Sequence, residues 1–401
     1  MRPAVKFILL TILIDVIGFG IIIPVLPSLL EEMMGIGVNE ASTYGGYLLA
    51  VWAIAQFVCS PIIGSLSDRY GRRPVLLLAL FGLAIDYLIM ALAPTFAWLV
   101  VGRIIAGIGG ASFTTASAYI ADVSNDENRA QNFGYVGAAF GLGFIVGPLL
   151  GGVFGEIGTR VPFYVAAGLS FLNFLYGYFI LPESLPESKR RAFDWRRANP
   201  IGTLRQIFNI GGIGVLLVAF FLLYLASHAV TSNWTYFTIY RFEWTELTVG
   251  LSLAVAGALS GVAQAVFAQR AANHFGTGRS VYLGIALYGV AMLLFAFASH
   301  SWMMFVYLIP YCFGGICQPN LQAYLTGRVP EDQQGELQGG LTSIQSLTTI
   351  IGPLLMTGVF FFTTKEETSF YFPGSAFALG AVLLGGSFFI AYGVLREAIK
   401  T

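Results

Sequence analysis

Gly64-Ser65-Leu66-Ser67-Asp68-Arg69-Tyr70-Gly71-Arg72-Arg73 sets one acid and three bases among glycines, between the apolar runs 44–65 and 74–93. Each flanking run is about 20 residues long, the length an α-helix needs to cross a hydrocarbon core of about 30 Å. A backbone inside lipid must satisfy its own N–H and C=O groups, so each run reads as a spanning helix. The charged stretch is then the tight turn joining two of them at the membrane surface.

Working outward, the pattern continues over the whole chain. Apolar runs of spanning length occupy 7–29, 44–65, 74–93, 97–121, 131–155 and 161–181, then 212–234, 248–269, 280–298, 302–325, 335–362 and 373–394. The spacing predicts an all-α polytopic membrane protein with twelve transmembrane helices. They form two pseudo-symmetric six-helix bundles, 1–181 and 212–401, joined by a cytoplasmic linker at 182–211. Composition agrees: 10% of residues are charged and 56% hydrophobic, with mean hydropathy +0.75, whereas soluble domains carry about 25% charged residues. The apolar start is followed by no small-residue cleavage site and reads as a retained first span.

Basic residues orient the spans. With the N-terminus in the cytoplasm, 17 of the 21 Lys and Arg fall on cytoplasmic segments, only Arg160, Arg241 and Lys365 lie outside, and Arg103 is within a span. Both termini are expected inside, in a cell inner membrane. Six of the cytoplasmic bases lie in the linker, where they suit contact with anionic lipid.

The halves share punctuation. Gly147-Pro148-Leu149-Leu150 in span 5 recurs as Gly352-Pro353-Leu354-Leu355 in span 11, an offset of 205, and the same offset takes Gly71 to Gly276 and Asp68 to Asn273. One offset that recovers features in two pairs of segments indicates duplication. Duplicated halves are a common build for secondary transporters, with substrate bound at the repeat interface near the midplane.

These motifs resemble the major facilitator superfamily. The opening stretch is similar to its signature loop, and Arg103-Ile-Ile-Ala-Gly107 and Gly143-Phe-Ile-Val-Gly147-Pro148-Leu-Leu-Gly151-Gly152 look like two further motifs, the last associated with drug–proton antiporters. Asp15-Val-Ile-Gly18-Phe-Gly20, Pro24-Val-Leu-Pro27, Asp86-Tyr87 and Gln333-Gln334-Gly335-Glu-Leu-Gln338-Gly339 resemble tetracycline-efflux pumps. The resemblance implies antibiotic efflux by alternating access, driven by a proton gradient with no bound cofactor. It leaves room for a divalent cation chelated to the substrate. It also implies a cytoplasmic latch between spans 2 and 11 that holds the outward-facing state. The latch residues are Gly64, Asp68, Arg69, Gly71, Arg72, Arg129, Gly147 and Pro148. Chemically, Asp68 can meet a helix N-terminus or a neighbouring base such as Arg129. The loop's bases also suit plain positive-inside anchoring. Gly143, Gly147 and Gly151 form a small-residue stripe, read as a tight seam with span 11, beside a Pro148 kink.

Among the acidic and basic side chains of Asp, Glu, Lys and Arg, only Asp15, Asp86 and Arg103 lie well inside spans. At about 1.5 Å per residue, Asp15 is roughly 12 Å and Asp86 roughly 18 Å from the cytoplasmic ends, and Arg103 can reach toward Asp86. Intramembrane charge is expensive and usually functional. Two readings stand: a structural Asp–Arg pair, or proton coupling by Asp15 and Asp86 tuned by Arg103. The matching position for Asp15 in the second half is Phe220, and no acid lies deep in spans 7–12. The tetracycline resemblance implies a further acid in span 9, where this chain has Tyr288. Candidate substrate contacts are Gln56, Asn173, His228, Gln264, Tyr288, Gln318, Gln322 and Gln345, with interhelical hydrogen bonding as the alternative for each.

Other classes are excluded by what the chain lacks. No P-loop supports ATP-driven pumping, and three scattered histidines form no catalytic cluster, so no enzymatic activity is expected. Cys59, Cys312 and Cys317 sit in apolar runs without metal-ligand or disulfide spacing. Zero net charge gives no attraction to nucleic acid. Expected partners are a small molecule, protons and lipid, with the chain a monomer. The reading is a proton-coupled exporter of a small amphipathic molecule, with tetracycline-like drugs foremost. The alternative is a proton-linked carrier of a neutral sugar or other metabolite.

Overall fold

The computed structural model describes residues 3–110, 112–125, 127–191, 213–330 and 333–397. The expected linker beyond 191 lies outside these, as do Arg2, Arg196, Arg197, Arg205 and Lys400 of the orientation argument. Among the described residues all regular structure is helical. The earlier helices are α1 (Pro3–Met34), α2 (Val38–Tyr70), α3 (Arg72–Leu92), α4 (Phe96–Gly110), α5 (Ser112–Val123), α6 (Arg129–Gly155) and α7 (Val161–Ile180). The later ones are α8 (Gly214–Thr231), α9 (Trp234–Phe242), α10 (Glu246–Val262), α11 (Gln269–Phe275), α12 (Thr277–Ala296), α13 (Ser301–Gly314), α14 (Cys317–Thr326), α15 (Gln334–Thr364) and α16 (Ser375–Glu397). Helices α4 and α5 together make one span-length stretch, Phe96–Val123, and α10, a π-helical segment at Ala263–Ala268 and α11 make another, Glu246–Phe275.

Among the described residues, eleven stretches are long and apolar enough to cross a bilayer. The twelfth expected span, 302–325, is present but broken into α13 and α14. Its sequence explains the break. Pro310 and Pro319 each withdraw a backbone donor, and Gly314-Gly315 lies between them. Outward-facing side chains agree with lipid as the solvent. Phe179 is 77% and Phe389 74% exposed, which water does not tolerate in bulk but lipid does.

The chain forms two compact units. The first comprises Met1–Ile36, Val51–Asn199 and Trp244–Ala254; the second comprises Gly37–Ala50, Pro200–Glu243 and Val255–Thr401. This division differs from the expected one by two segments, the start of α2 and the start of α10, each of which groups with the other half of the sequence.

The glycine stripe of α6 corrects one expectation. It faces α1, not span 11. A Cβ on Gly143 would lie 2.6 Å from the Val16 Cβ, and one on Gly147 2.7 Å from the Ile17 carbonyl oxygen and 2.9 Å from the Gly20 Cα. On Gly151 it would strike the Ile21 carbonyl. Gly20 reciprocates, because a Cβ there would meet Pro148 Cδ at 2.7 Å. Lipid provides no hydrophobic drive between helices, so van der Waals contact at small residues supplies the association. A second face of α6 seats the start of α10: Gly152 abuts Glu246 and Leu247, and Gly250 abuts the Pro148 carbonyl. Ser28 of α1 donates a 2.5 Å hydrogen bond to the Glu246 carboxylate.

The repeat is visible in backbone geometry. Gly71 before α3 has φ +104° and Gly276 before α12 has φ +85°, both at helix N-caps. Only glycine adopts that region freely.

Gly147→Leu is expected to lower the detergent unfolding temperature sharply, because backbone atoms on α1 cannot yield to it. Gly141→Ala, whose Cβ would meet nothing within 4 Å, is expected to hold or gain up to about 1 kcal/mol from helix propensity. Equal behaviour of the two variants in a thermal melt would show that the seam is not close-packed.

Candidate functional site

The first unit holds all three intramembrane charges. On α3, Asp86 is fully buried, and on α4 Arg103 is 6% exposed. The Arg103 Nη2 donates to Asp86 Oδ2 in an ion pair, so the expected reach of the arginine is met. A buried carboxylate without such a partner would be prohibitively desolvated. Gly102 makes the room: a Cβ there would lie 2.7 Å from Asp86 Oδ1. That oxygen and Arg103 Nε make no hydrogen bond among the described residues.

Asp15 is half-buried on α1. One helical turn on, Gly18 lies under the Tyr87 hydroxyl, 2.6 Å from where its Cβ would stand. Tyr87 neighbours Asp86 in sequence and is within electrostatic reach of Asp86, Arg103 and Asp15. The structure therefore brings Asp15, Tyr87, Asp86 and Arg103 into one electrostatic neighbourhood across α1, α3 and α4. Intramembrane acids and bases usually pair with one another, and this group follows that pattern.

The loop that opened the sequence reading forms a second cluster at the end of α3. Arg72 is the hub. Its guanidinium contacts Asp68 Oδ1 at 2.6 Å and Asp122 Oδ2 at 3.2 Å and donates to Ser67 Oγ at 2.6 Å. Asp68 thus pairs with Arg72, in the same turn, and not with Arg129. The i,i+4 spacing makes the nearer base the better partner. Arg129 opens α6 and makes no ion pair among the described residues. Glu183, just past α7, accepts hydrogen bonds from the backbone N–H groups of Arg72 (2.8 Å) and Arg73 (3.2 Å). Its carboxylate caps the N-terminus of α3, where the helix dipole favours an anion. A side chain on Gly71 would strike Glu183, so that glycine is required twice, by conformation and by contact. Gly64 has open space around its Cβ position, and Arg69 lies over the Tyr70 ring at 5.1 Å. Packing therefore explains Gly71, Gly147 and Pro148 but not Gly64.

The neutral polar candidates divide. Gln56 donates to the Gly110 carbonyl at 3.3 Å, and Asn173, 1% exposed, accepts from Thr11 Oγ1 at 3.3 Å. Both join helices. Tyr288, 3% exposed, donates to the Tyr311 hydroxyl at 3.4 Å, and its backbone presses on Gly314. Close packing seals it away from open space. Gln322 donates to Gln338 Oε1 at 3.1 Å, tying α14 to α15, and Gln345 is a polar neighbour of the Tyr224 hydroxyl. His228 lies against Gly352, with its Nδ1 3.2 Å from Thr231 Oγ1. Gln318 is half-buried near the α13–α14 break, and Gln264 is exposed within the π-helical segment. Such π segments frequently mark functional positions, and Gln264 and Gln318 are the two of these candidates for which no side-chain hydrogen bond is seen among the described residues.

A family model described as Major Facilitator Superfamily matches residues 8–353 and 216–398. The chain belongs to the major facilitator superfamily. Within it, the chain is 40% identical to the Escherichia coli class C tetracycline resistance protein over 380 residues, 95% of this chain and 94% of that one. It is 37% identical to the class G protein of Vibrio anguillarum over 401 residues, covering 100% and 99%. A solved human organic anion transporter is 26% identical with TM-score 0.71, covering 98% of this chain and 100% of the other. A bacterial homologue of the human lysosomal transporter Spinster is 16% identical with TM-score 0.76, covering 100% and 98%, and shares the fold. This facilitator is accordingly a multi-pass membrane protein.

Sequence reasoning missed Tyr87 as the link between the two acids, and Glu183, Asp122 and Glu246. Glu183 carried a signal, an acid after a proline at the end of span 6, level with a three-base loop. Glu183→Gln is expected to remove the charge-assisted cap, costing about 1 kcal/mol or more, and to cut transport by at least about tenfold. Wild-type transport and melting in that variant would dismiss the cap.

Proposed function

We propose that this protein is a proton-coupled exporter of small amphipathic molecules, tetracycline-like drugs foremost, acting by alternating access. The observation that carries the reading is the buried Asp86–Arg103 pair with Tyr87 and Asp15 alongside. It occurs in a chain similar over nearly its whole length to tetracycline resistance proteins. Asp86 holds a proton or Arg103, but not both equally well, because each satisfies the same carboxylate. Release of Arg103 from Asp86 is then linked to proton uptake, and Asp15 is the second acceptor on the same face.

The energy source in this reading is the proton gradient. No cofactor is bound, and a divalent cation travels only as a chelate of the substrate. The chain is a monomer in the inner membrane with both termini cytoplasmic, and it carries out no covalent chemistry. The basic residues of segments such as 69–73 support this orientation. A second reading, carriage of a neutral sugar or other metabolite, is favoured by Tyr288. It stands where a further acid would aid cation-chelate recognition, and it is bonded to Tyr311.

Everted membrane vesicles with a preformed pH gradient test both. In the drug reading, tetracycline with magnesium collapses the gradient in vesicles carrying the wild type. Asp86→Asn reduces that proton flux at least about tenfold, as expected for loss of a transition-state contribution of about 1.4 kcal/mol. A coupled Asp86→Asn protein would defeat the assignment of Asp86. A gradient indifferent to tetracycline but sensitive to neutral sugars would favour the second reading.

A further inference from the structure

Thr11 and Asn173 meet deep in the first unit, and both are 1% exposed. Three contacts set the register of the antiparallel pair α1 and α7. Phe7 packs on Tyr176 with ring centroids 5.0 Å apart, a Cβ on Gly177 would lie 2.8 Å from Phe7 Cζ, and Thr11 bonds Asn173. Four residues further along α1 and three back along α7, Asp15 and Ser170 therefore stand at one level. Ser170 is fully buried, and neither its Oγ nor Asn173 Nδ2 has a hydrogen-bond partner among the described residues. Helix α3 passes the same level with small Ala84, since Phe81 packs on Phe174 at 5.2 Å and Leu77 on Gly177. Phe7 and Leu77 close this polar stretch at one end, and Tyr87 covers it at the other, against Gly18.

We propose that Ser170, Thr11 and Asn173 form a buried water-binding site that hydrates Asp15 from the α7 side of α1. Native interiors rarely leave hydroxyl and amide groups unmatched, and a water with two to four polar partners is the usual solution. This assigns Asn173 a place behind Asp15 and takes it out of the substrate contacts. The charged groups on the neighbouring elements are Asp86 on α3 and Arg103 on α4, which pair with each other through Arg103 Nη2 and Asp86 Oδ2, and Tyr87 on α3 is the titratable group beside them. Helix α6 offers glycines there, and α7 offers only neutral side chains. Water held by Ser170 and the Thr11–Asn173 pair thus stabilises the ionised form of Asp15, and these three are positioning residues for its proton.

The inference rests on reading Asp15 as a coupling acid. Infrared difference titration of the purified full-length protein, with Asp15→Asn to assign the carboxyl band, tests it without substrate. Ser170→Ala and Thr11→Val are expected to move the Asp15 midpoint up by about one pH unit, a tenfold change in proton affinity and the scale of one hydrogen bond to a charged oxygen. Ser170→Thr, which keeps the hydroxyl, restores the wild-type midpoint. A water O–H stretch sensitive to oxygen-18 water disappears in Ser170→Ala. An unmoved midpoint in Ser170→Ala overturns the site, even where the melting temperature falls. Should Thr11→Val fail to fold, Ser170→Ala, which deletes one oxygen, decides alone. An Asp15 band that never titrates sinks the coupling role instead, and a chain that ignores tetracycline leaves this titration unaffected.

Discussion

Inside a bilayer, helices gain nothing by hiding apolar surface from lipid, so whatever holds them together must be contact at close range. The approach of α6 to α1 along Gly143, Gly147 and Gly151 is such a contact in the first unit, with backbone against backbone at Ile17, Gly20 and Ile21. It has a consequence for chemistry. Asp15 lies on α1 next to Val16, which faces Gly143, and one turn before Gly18, which lies under Tyr87. A helix clamped on one side by glycines and on the other by a tyrosine has little freedom to rotate. The acid is thereby held at a set distance from Asp86.

The same economy governs the charges. Arg103 satisfies half of Asp86, and Gly102 supplies the space for the other half. At the end of α3, one arginine serves two acids and a serine, while Glu183 takes the backbone donors. Neither cluster leaves a bare charge in lipid. Each therefore has the property that a switch requires: removing one partner, by protonation or movement, obliges the remainder to find another.

Much of this was legible in the sequence, for a plain reason. Length and hydropathy determine where a chain can cross lipid, and the rarity of charge inside spans points directly to Asp15, Asp86 and Arg103. Partners were less legible. A glycine stripe announces a close neighbour without naming it, and span 11 was the wrong choice where α1 was the right one. Asp68 had two arginines within plausible reach, and local helical spacing favoured Arg72. Tyr288 and Asn173 are polar residues in spans, a signal that does not separate a lining position from an interior hydrogen bond. The broken span 302–325 had its prolines in view, but two prolines predict a distortion without saying whether the helix bends or parts.

The repeat shows what was copied and what was not. Pro148 and Pro353 are separated by the offset of 205. Each receives a glycine from a helix start: a Cβ on Gly250 would strike the Pro148 carbonyl, and one on Gly46 would lie 3.3 Å from the Pro353 carbonyl oxygen. The paired glycine turns at Gly71 and Gly276 keep the same left-handed backbone. Steric framework is thus duplicated. The chemistry is not, because the same offset takes Asp15 to Phe220, Asp86 to Ala291 and Arg103 to Leu308, and all three are buried apolar residues. An apolar core in the second unit needs no charge compensation as it moves. Confining intramembrane charge to the first unit leaves the second to vary its interior, where Tyr288, Tyr311 and the π-helical segment of Gln264 sit, without disturbing the Asp86–Arg103 pair.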